Sequence, residues 1–452
     1  MKVLVIGSGG REHALVWKLA QSPKVDVIYA APGNGGTAVE DKTQHVNLAG
    51  MDPSSEEGQV RLLQFAQKEE IDLCLVGPEA PLAAGLADRF RKEGMRILGP
   101  GARAARLESS KIYSKSFMAK HGIRAAASKS FTDYQGALQY AEKHFSKTKT
   151  KNPLVIKADG LASGKGVVIA GTAAEAKTTL DAFMKQAALG EAGKSLILEE
   201  YLEGQEVSIM AAVHAAPGKK GIIKPFISAR DHKRLGEGNL GPNTGGMGAI
   251  APAPGFTAAQ MRDFEKAILA PTLKGMEAEN MDYQGFIFFG LLIKEESCYL
   301  LEYNVRLGDP ETQALLPLME SDFAELCLAV CDGNLQRFNI TWKEGAVCAP
   351  VAVGEGYPGP GKTGLPIAVN ETRFMQTGAQ LFIAGAQRGE GGALGSGLRT
   401  SGGRILSVAA HGQDTEEACK HAYEALGFVE FEGIYYRRDI GREPPAPWSE
   451  EA

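Results

Sequence analysis

Cysteine is scarce in this sequence: six in 452 residues, at Cys74, Cys298, Cys327, Cys331, Cys348 and Cys419, with no Cys-x-x-Cys pair. That excludes a disulfide framework and the usual zinc ribbon spacing. Cys327 and Cys331 are spaced to share a helix face, yet no histidine lies near them, so they read as reduced core thiols of a cytoplasmic protein. Long hydrophobic runs are absent too, since none approaches the roughly 18 residues a membrane span needs. The chain opens instead on a short apolar strand, 1–7, that runs straight into a glycine turn without a cationic leader. An excess of basic residues is also missing. Lysine and arginine number 49 against 54 acids, a net charge of -5 without a long basic run, which argues against a nucleic-acid surface.

What is present is an ordinary globular composition, 44% hydrophobic and 23% charged, in a chain long enough for about three domains. The 55 glycines cluster in short loops of the kind that let backbone N–H groups approach phosphates.

Residues 1–105 alternate apolar strands (2–7, 25–31, 73–77, 96–99) with helical periodicity (12–21, 56–69). That order predicts a parallel sheet with helices on both faces and ligands at the carboxyl ends of its strands. Three loops fall at those ends: Gly-Ser-Gly-Gly-Arg-Glu-His (7–13), Pro-Gly-Asn-Gly-Gly (32–36) and Gly-Pro-Glu-Ala-Pro (77–81). A dinucleotide fingerprint would need glycine where Glu12 stands and an acid after the second strand, where Tyr29-Ala30-Ala31-Pro32 has none. A nicotinamide-dependent oxidoreductase is therefore disfavoured. Gly9, Gly10 and Arg11 could still cradle one phosphate at a helix N-terminus, or form a plain tight turn.

From Arg106 the texture changes. A helical segment carries Lys111, and the polar run 146–152 reads as a surface loop. Strands at 154–158 and 167–170 flank a glycine-rich tip, 159–166, with Lys157 and Lys165 on either side, which suits a polyphosphate. The spacing is not that of a Walker A loop, and Lys157, on its strand, is the better fixed of the two. A strand ending in Glu199-Glu200-Tyr201-Leu202 can present backbone and carboxylate groups to an adenine edge, or simply be a solvated strand end. Segments 207–213 and 222–229 continue the sheet, followed by Asp231-His232-Lys233-Arg234, the loop 242–248, an amphipathic helix at 259–279 and a strand at 285–294. After a helix at 321–332, strands at 346–353, 380–386 and 405–411 with a helix at 415–426 describe a small α+β domain. The glycine-rich stretch 388–399 reads as a mobile hairpin tip and 443–452 as a fraying tail.

The stretch 301–311, Leu-Glu-Tyr-Asn-Val-Arg-Leu-Gly-Asp-Pro-Glu, reads as a strand with two unlike faces. Glu302, Asn304 and Arg306 share one, and Leu301, Tyr303, Val305 and Leu307 the other. A carboxylate and an amide oxygen two residues apart suit Mg²⁺, and a guanidinium beyond them suits phosphate or carboxylate. On spacing alone a solvated polar face is the commoner case. The turn Gly308-Asp309-Pro310-Glu311 adds acids beside the same face and favours a site.

Taken together, seven motifs resemble the phosphoribosylamine–glycine ligase family of ATP-grasp enzymes. They are Gly-Gly-Arg-Glu-His-Ala (9–14), Pro-Gly-Asn-Gly-Gly (32–36), Val-Gly-Pro-Glu-Ala-Pro-Leu (76–82), Lys-Ala-Asp-Gly-Leu-Ala-x-Gly-Lys-Gly-Val (157–167), Asp-His-Lys-Arg (231–234), Gly-Pro-Asn-Thr-Gly-Gly-Met-Gly-Ala (241–249) and Glu-x-Asn-x-Arg-x-Gly-Asp-Pro-Glu (302–311). The resemblance implies a multidomain fold: an N-terminal parallel α/β domain (1–105), an ATP-grasp domain (106–333) with a mobile lid at about 122–193, and a C-terminal α+β domain (334–442). It implies ATP held by Lys111, Lys157, Gly160, Gly164 and Lys165 at the phosphates, by Glu199, Glu200 and Leu202 at adenine, and by Glu206 at the ribose. It also implies Mg²⁺ or Mn²⁺ on Glu302 and Asn304. Phosphoribosylamine would touch Gly9, Gly10, Arg11, Asn34, Gly35, Pro78 and Glu79, and glycine Asp231, Arg306, Gly308 and Asp309, with Arg306, Lys157 and Asp231 acting in the chemistry. The expected protein is a cytoplasmic monomer or weak homodimer acting on small molecules, with neither nucleic acid nor membrane as partner. The alternative is another ATP-grasp ligase or carboxylase with a different acceptor. Leu307 replaces the family's usual phenylalanine, and Ile383 and Gly354-Glu355 depart from its C-terminal pattern, which puts contacts from the third region in doubt.

Overall fold

The computed structural model describes residues 1–46, 51–147, 152–160, 166–389 and 397–442. Gly164 and Lys165, much of the 388–399 loop and the 443–452 tail lie outside the described residues.

Lys2–Gly7 pairs in parallel on both sides, with Val27–Pro32 and Leu73–Val76. Its side chains go into two cores: Leu4 and Ile6 pack with Leu62, Ala66 and Phe90, Val3 and Val5 with Leu15 and Leu19. Burial on both faces is why the segment reads as a continuous apolar run. Leu73–Val76 pairs in turn with Ile97–Pro100, and Val27–Pro32 with Thr43–His45, both in parallel. Beyond Ile97–Pro100 the sheet turns antiparallel and continues through Tyr283–Lys294, Gln205–Ala215, Ile222–Asp231, Gly248–Ala251, Ala346–Val353, Arg404–Gly412 and Gln380–Ile383. One sheet of thirteen strands thus runs through the N-terminal, central and C-terminal regions. The first seam is a close backbone approach, because a Cβ on Gly285 would lie 2.8 Å from the Gly99 nitrogen.

A second sheet stands apart, ordered Ser128–Phe131, Leu196–Glu200, Leu154–Ala158 and Val167–Ala170. It has its own core, in which Phe131, Ala137, Ile156, Leu180 and Leu198 bury against one another. Leu154–Ala158 and Val167–Ala170 form the expected antiparallel hairpin.

Among the segments that differ from expectation, three do so for local reasons. The helix predicted over 259–279 is helical from Ala258 to Ala278 but widens to a π turn at Glu265–Leu269. Pro271 has no N–H to give to the Ala267 carbonyl, which accepts from the Arg124 N–H at 3.2 Å instead. The strand expected over 380–386 ends at Ile383, where the chain leaves to form a ribbon of Ala386–Arg388 with Leu398–Thr400. The strand Ser297–Asn304 carries a bulge opposite Gly290 and Leu291 that takes Leu301 out of the alternation. Tyr303, Val305 and Leu307 are buried as expected, while Glu302, Asn304 and Arg306 are half-buried. The ladder stops after Asn304 because the Val305 N–H donates to the Glu108 carboxylate at 2.6 Å.

Candidate active site

The carboxyl ends of the N-terminal strands carry the three glycine loops, and Asn34 ties them together. Its side-chain amide donates to the Ser8 and Ile383 carbonyls at 2.9 and 2.8 Å, and its oxygen accepts from the Gly36 and Thr37 N–H groups. His13 Nδ1 accepts from the Ile383 N–H at 2.7 Å and the Gly35 N–H donates to the Ala386 carbonyl at 3.0 Å, so the third region does reach this cluster. It does so through backbone, which is why isoleucine at 383 serves where a histidine is usual.

Glu12 takes the position a phosphate cradle would want. Its carboxylate accepts from the Gly9 N–H at 2.5 Å and pairs with Arg11 Nε at 2.6 Å. It also sits against Gly7 and Gly77, where a Cβ would lie 2.6 and 1.9 Å from its atoms. The start of helix Gly10–Ala20 thus has a carboxylate of its own. Pro78 precedes the short helix Glu79–Ala83.

Arg306 is held by two acids, Glu79 at 3.1 Å and Glu108 at 2.9 Å. Burial pushes the Glu108 carboxyl up to about 7 against the pull of Arg306. For Glu79 burial acts the same way, but Arg306 and Arg11 outweigh it and leave the group below its ordinary value. The turn after Arg306 leans on the third region: Arg404 pairs with Asp309 at 2.8 Å and donates to the Gly245 carbonyl at 2.6 Å. Gln313 holds the other Asp309 oxygen at 2.8 Å. Gly9 and Gly10 lie against this turn, since a Cβ on either would come within 3.5 Å of Asp309 or 2.7 Å of Gln313. Gly308 donates to Met210 Sδ at 3.2 Å.

Beside the turn lies Asp231, its side chain 2% exposed and paired with Lys233 at 2.8 Å. Burial pushes its carboxyl up to about 6; Lys233 opposes that and Glu311 adds to it. Glu311 is itself buried and accepts from the Ser208 hydroxyl at 2.8 Å.

On the polar face of Ser297–Asn304, Glu302 sits opposite Gly290, where a side chain would meet its Cγ at 3.2 Å. Burial raises the Glu302 carboxyl, but Lys233, Lys157, Lys111 and Arg306 together bring it below its ordinary value. It is ionised at neutral pH, and among the described residues nothing is paired or hydrogen-bonded to it. An ionised carboxylate without a protein partner, next to the Asn304 amide, fits a hard divalent cation. Among the described residues there is no cluster of three His, Cys, Asp or Glu that could hold a metal alone, so phosphate oxygens and water would complete the coordination.

The lysines come from both sides of the cleft. Lys111 opens helix Lys111–Lys120 and its ammonium donates to the Gly160 carbonyl at 3.1 Å. Asp159 at the base of the hairpin tip accepts from the Ser110 hydroxyl and the Ile112 N–H, both at 3.1 Å. Lys157 pairs with Glu199 at 2.5 Å, and Lys115 pairs with the same carboxylate. Glu200 accepts from the Ala127 N–H at 2.8 Å, Leu202 is half-buried, and Glu206 is exposed near the start of Gln205–Ala215. The site residues that the sequence did not single out are Glu108, Lys115, Lys233 and Arg404. Lys115 had a signal, being four residues after Lys111 on one helix face. Arg404, on a strand far along the chain, had none.

Comparison with known proteins agrees across the whole chain. The phosphoribosylglycinamide synthetase N domain matches residues 1–108, the ATP-grasp (A) domain 109–312 and the C domain 346–443. The chain is 47% identical to a phosphoribosylamine–glycine ligase of Clostridium acetobutylicum, over 98% of this chain and 100% of the relative. It is 43% identical to one of Chlorobaculum tepidum, over 98% and 99%. Among solved structures, the phosphoribosylamine–glycine ligase of Thermotoga maritima superposes with a TM-score of 0.79 at 33% identity, covering 97% of this chain and all of that one. A biotin carboxylase domain of Hydrogenobacter thermophilus, solved with MgADP and bicarbonate, shares the fold at 16% identity with a TM-score of 0.69, over 96% and 91% of the two chains. With three domain matches in order and relatives this similar over their full length, the chain belongs to the phosphoribosylglycinamide synthetase family.

Proposed function

We propose that the protein joins glycine to 5-phosphoribosylamine at the expense of ATP, giving glycinamide ribonucleotide, ADP and phosphate, a step of purine biosynthesis. The observation that carries the reading is Glu302, an ionised carboxylate that pairs with none of the described residues, in the field of Lys233, Lys157 and Lys111. That arrangement suits a metal–triphosphate better than a structural ion pair. In the first step a glycine carboxylate oxygen attacks the γ-phosphorus and the bond to the β-phosphate oxygen breaks, giving glycyl phosphate and ADP. In the second the amine of phosphoribosylamine attacks the acyl carbon, phosphate leaves and the nitrogen loses a proton.

Phosphoryl transfer of this kind depends on positioning and charge neutralisation. Lys111 and Lys157 would hold the phosphates, and the strand end after Glu199 and Glu200, with Leu202, the adenine. Mg²⁺, when bound at Glu302 and Asn304, would supply positive charge to the β- and γ-phosphates. Asp231, its carboxyl pushed up to about 6 by burial, would take the proton the amine loses. Arg306, between Glu79 and Glu108, would join the glycine end to the loops 9–11, 34–35 and 78–79, which would receive phosphoribosylamine. The described helices include none long and apolar enough to cross a membrane, and we propose a cytoplasmic monomer or weak homodimer. The test is ADP release with Mg²⁺, glycine and freshly generated phosphoribosylamine, leaving out each in turn. Dependence on both substrates is expected; ADP formed without either one would overturn the assignment.

A further inference from the structure

We propose that Lys115 is a positioning residue of the nucleotide site, neutralising Glu199 so that Lys157 is free to hold the ATP phosphates. The inference rests on the reading of Lys157 as a phosphate ligand. Lys115 lies one turn after Lys111 on helix Lys111–Lys120, so the two point from the same face. Its ammonium pairs with Glu199 Oε1, while Lys157 reaches Oε2 of the same carboxylate at 2.5 Å. The side chains of Lys115, Lys157 and Glu199 are only 10%, 10% and 2% exposed, so little water screens them. Among the described residues no other acid pairs with either lysine.

One carboxylate between two ammoniums leaves one positive charge over. A lysine that must leave its carboxylate to reach a phosphate would ordinarily strand a buried anion, a heavy penalty. Here Lys115, anchored on a helix of the other lobe, stays with Glu199 when Lys157 turns to the nucleotide. The surplus charge thus belongs to Lys157, at the base of the glycine-rich hairpin, while Lys115 and Glu199 form a neutral couple.

The test is ATP affinity by calorimetry, with kcat and the KM values for ATP and glycine, in five variants. Lys115→Met should weaken ATP binding about tenfold, the range of coupling expected for residues in contact. It should leave the KM for glycine unchanged, and Lys115→Arg should retain most of the affinity. Adding Glu199→Gln to Lys115→Met should restore binding toward that of Glu199→Gln alone, because without the carboxylate Lys115 has nothing to neutralise. If Lys115→Met fails to fold, the comparison of Glu199→Gln with Glu199→Gln/Lys115→Met still decides. Equal ATP affinity supports the proposal, and a further loss in the double variant overturns it. Wild-type affinity in Lys115→Met also overturns it. Lys157→Met separates the two levels: if it binds ATP as the wild type does, the phosphate reading itself fails, whereas a loss there with none in Lys115→Met sinks only the role of Lys115.

Discussion

Glu302→Ala and Tyr303→Phe, one residue apart, should perturb different properties. The Tyr303 side chain is buried, its ring against Phe117 and Phe289, and its hydroxyl lies 2.7 Å from Thr272 Oγ1. The Thr272 hydroxyl also reaches the Ile268 carbonyl at 2.7 Å, so deleting the phenol oxygen leaves no buried donor stranded. The loss is one neutral hydrogen bond, about 1 kcal/mol, which in a chain of this size lowers Tm by about 1–2 °C. Activity should be untouched. Glu302 pairs with none of the described residues, so its removal should change stability by no more than about 0.5 kcal/mol. Removing the proposed metal ligand should lower kcat by about a hundredfold or more, on the scale of deleting one stabilising group at a transferring phosphate. ADP release and thermal melts of both variants read the two effects separately. If Glu302→Ala kept wild-type turnover, or Tyr303→Phe lost as much activity as Glu302→Ala, the division of this strand into a chemical and a structural face would be refuted.

Glu108→Gln should change how stability depends on pH. Because burial holds the Glu108 carboxyl at about 7, its contribution is complete below the ordinary glutamate range and is lost as pH rises through about 7. A displacement of that size corresponds to about 3 kcal/mol. The variant, neutral throughout, should show a flatter Tm profile between about pH 5 and 8; parallel curves would count against it. Arg404→Ala frees Asp309 and the Gly245 carbonyl, and should lower kcat/KM for glycine about tenfold while the KM for ATP holds. Arg404→Lys should recover only part of this, since a lysine cannot fork between two acceptors; an equal loss in the KM for ATP would place Arg404 elsewhere in the site. ATP with Mg²⁺ at about a hundred times its Kd should stabilise the protein by about 2.7 kcal/mol. A chelator should remove the metal-dependent part in the wild type and have no further effect in Glu302→Ala. A chelator effect of equal size in both would argue that the metal sits elsewhere.

Four strands of the N-terminal sheet were legible because each is apolar along its length and ends at or beside a glycine, whereas the short polar strand Thr43–His45 was not; the hairpin at Lys157 was legible because its two apolar strands flank a glycine run. The candidate site can be proposed from the sequence where its residues lie close together along the chain, as Glu302, Asn304 and Asp309 do. What could not be read were the links between distant segments. Nothing near Glu108 in sequence shows that it takes the Val305 N–H and so ends the ladder. Nothing near Arg404 shows that it clamps Asp309. The π turn within the helix at 259–279 is not legible either, because the missing N–H of Pro271 is felt only by the Ala267 carbonyl, whose partner is the distant Arg124 N–H. Composition also could not show that the three regions share one sheet, since the seams at Gly99 and at Ala249 opposite Ala349 are backbone pairings that any small residue permits.

The distribution of charge around the cleft bears on where the transferring phosphate must sit. Arg306 faces Glu79 and Glu108, Arg404 faces Asp309, and Lys233 faces Asp231, so each of these cations around the proposed glycine end already has a carboxylate within 3.1 Å. Such couples fix geometry but offer little net attraction to a further anion. On the proposed nucleotide side the count differs: among the described residues Lys111 donates to a carbonyl alone, and Lys115 and Lys157 share one acid. The unmatched positive charge therefore lies at the lysines, where a triphosphate arrives with more negative charge than the protein alone can neutralise. Glu302 and Asn304 stand between the two sides, and a divalent cation there would carry the excess toward the glycine carboxylate. On this reading Arg306 does not neutralise the γ-phosphate directly. It would instead hold the floor of the site in register with the N-terminal glycine loops, and its removal should raise the KM values for glycine and phosphoribosylamine more than that for ATP.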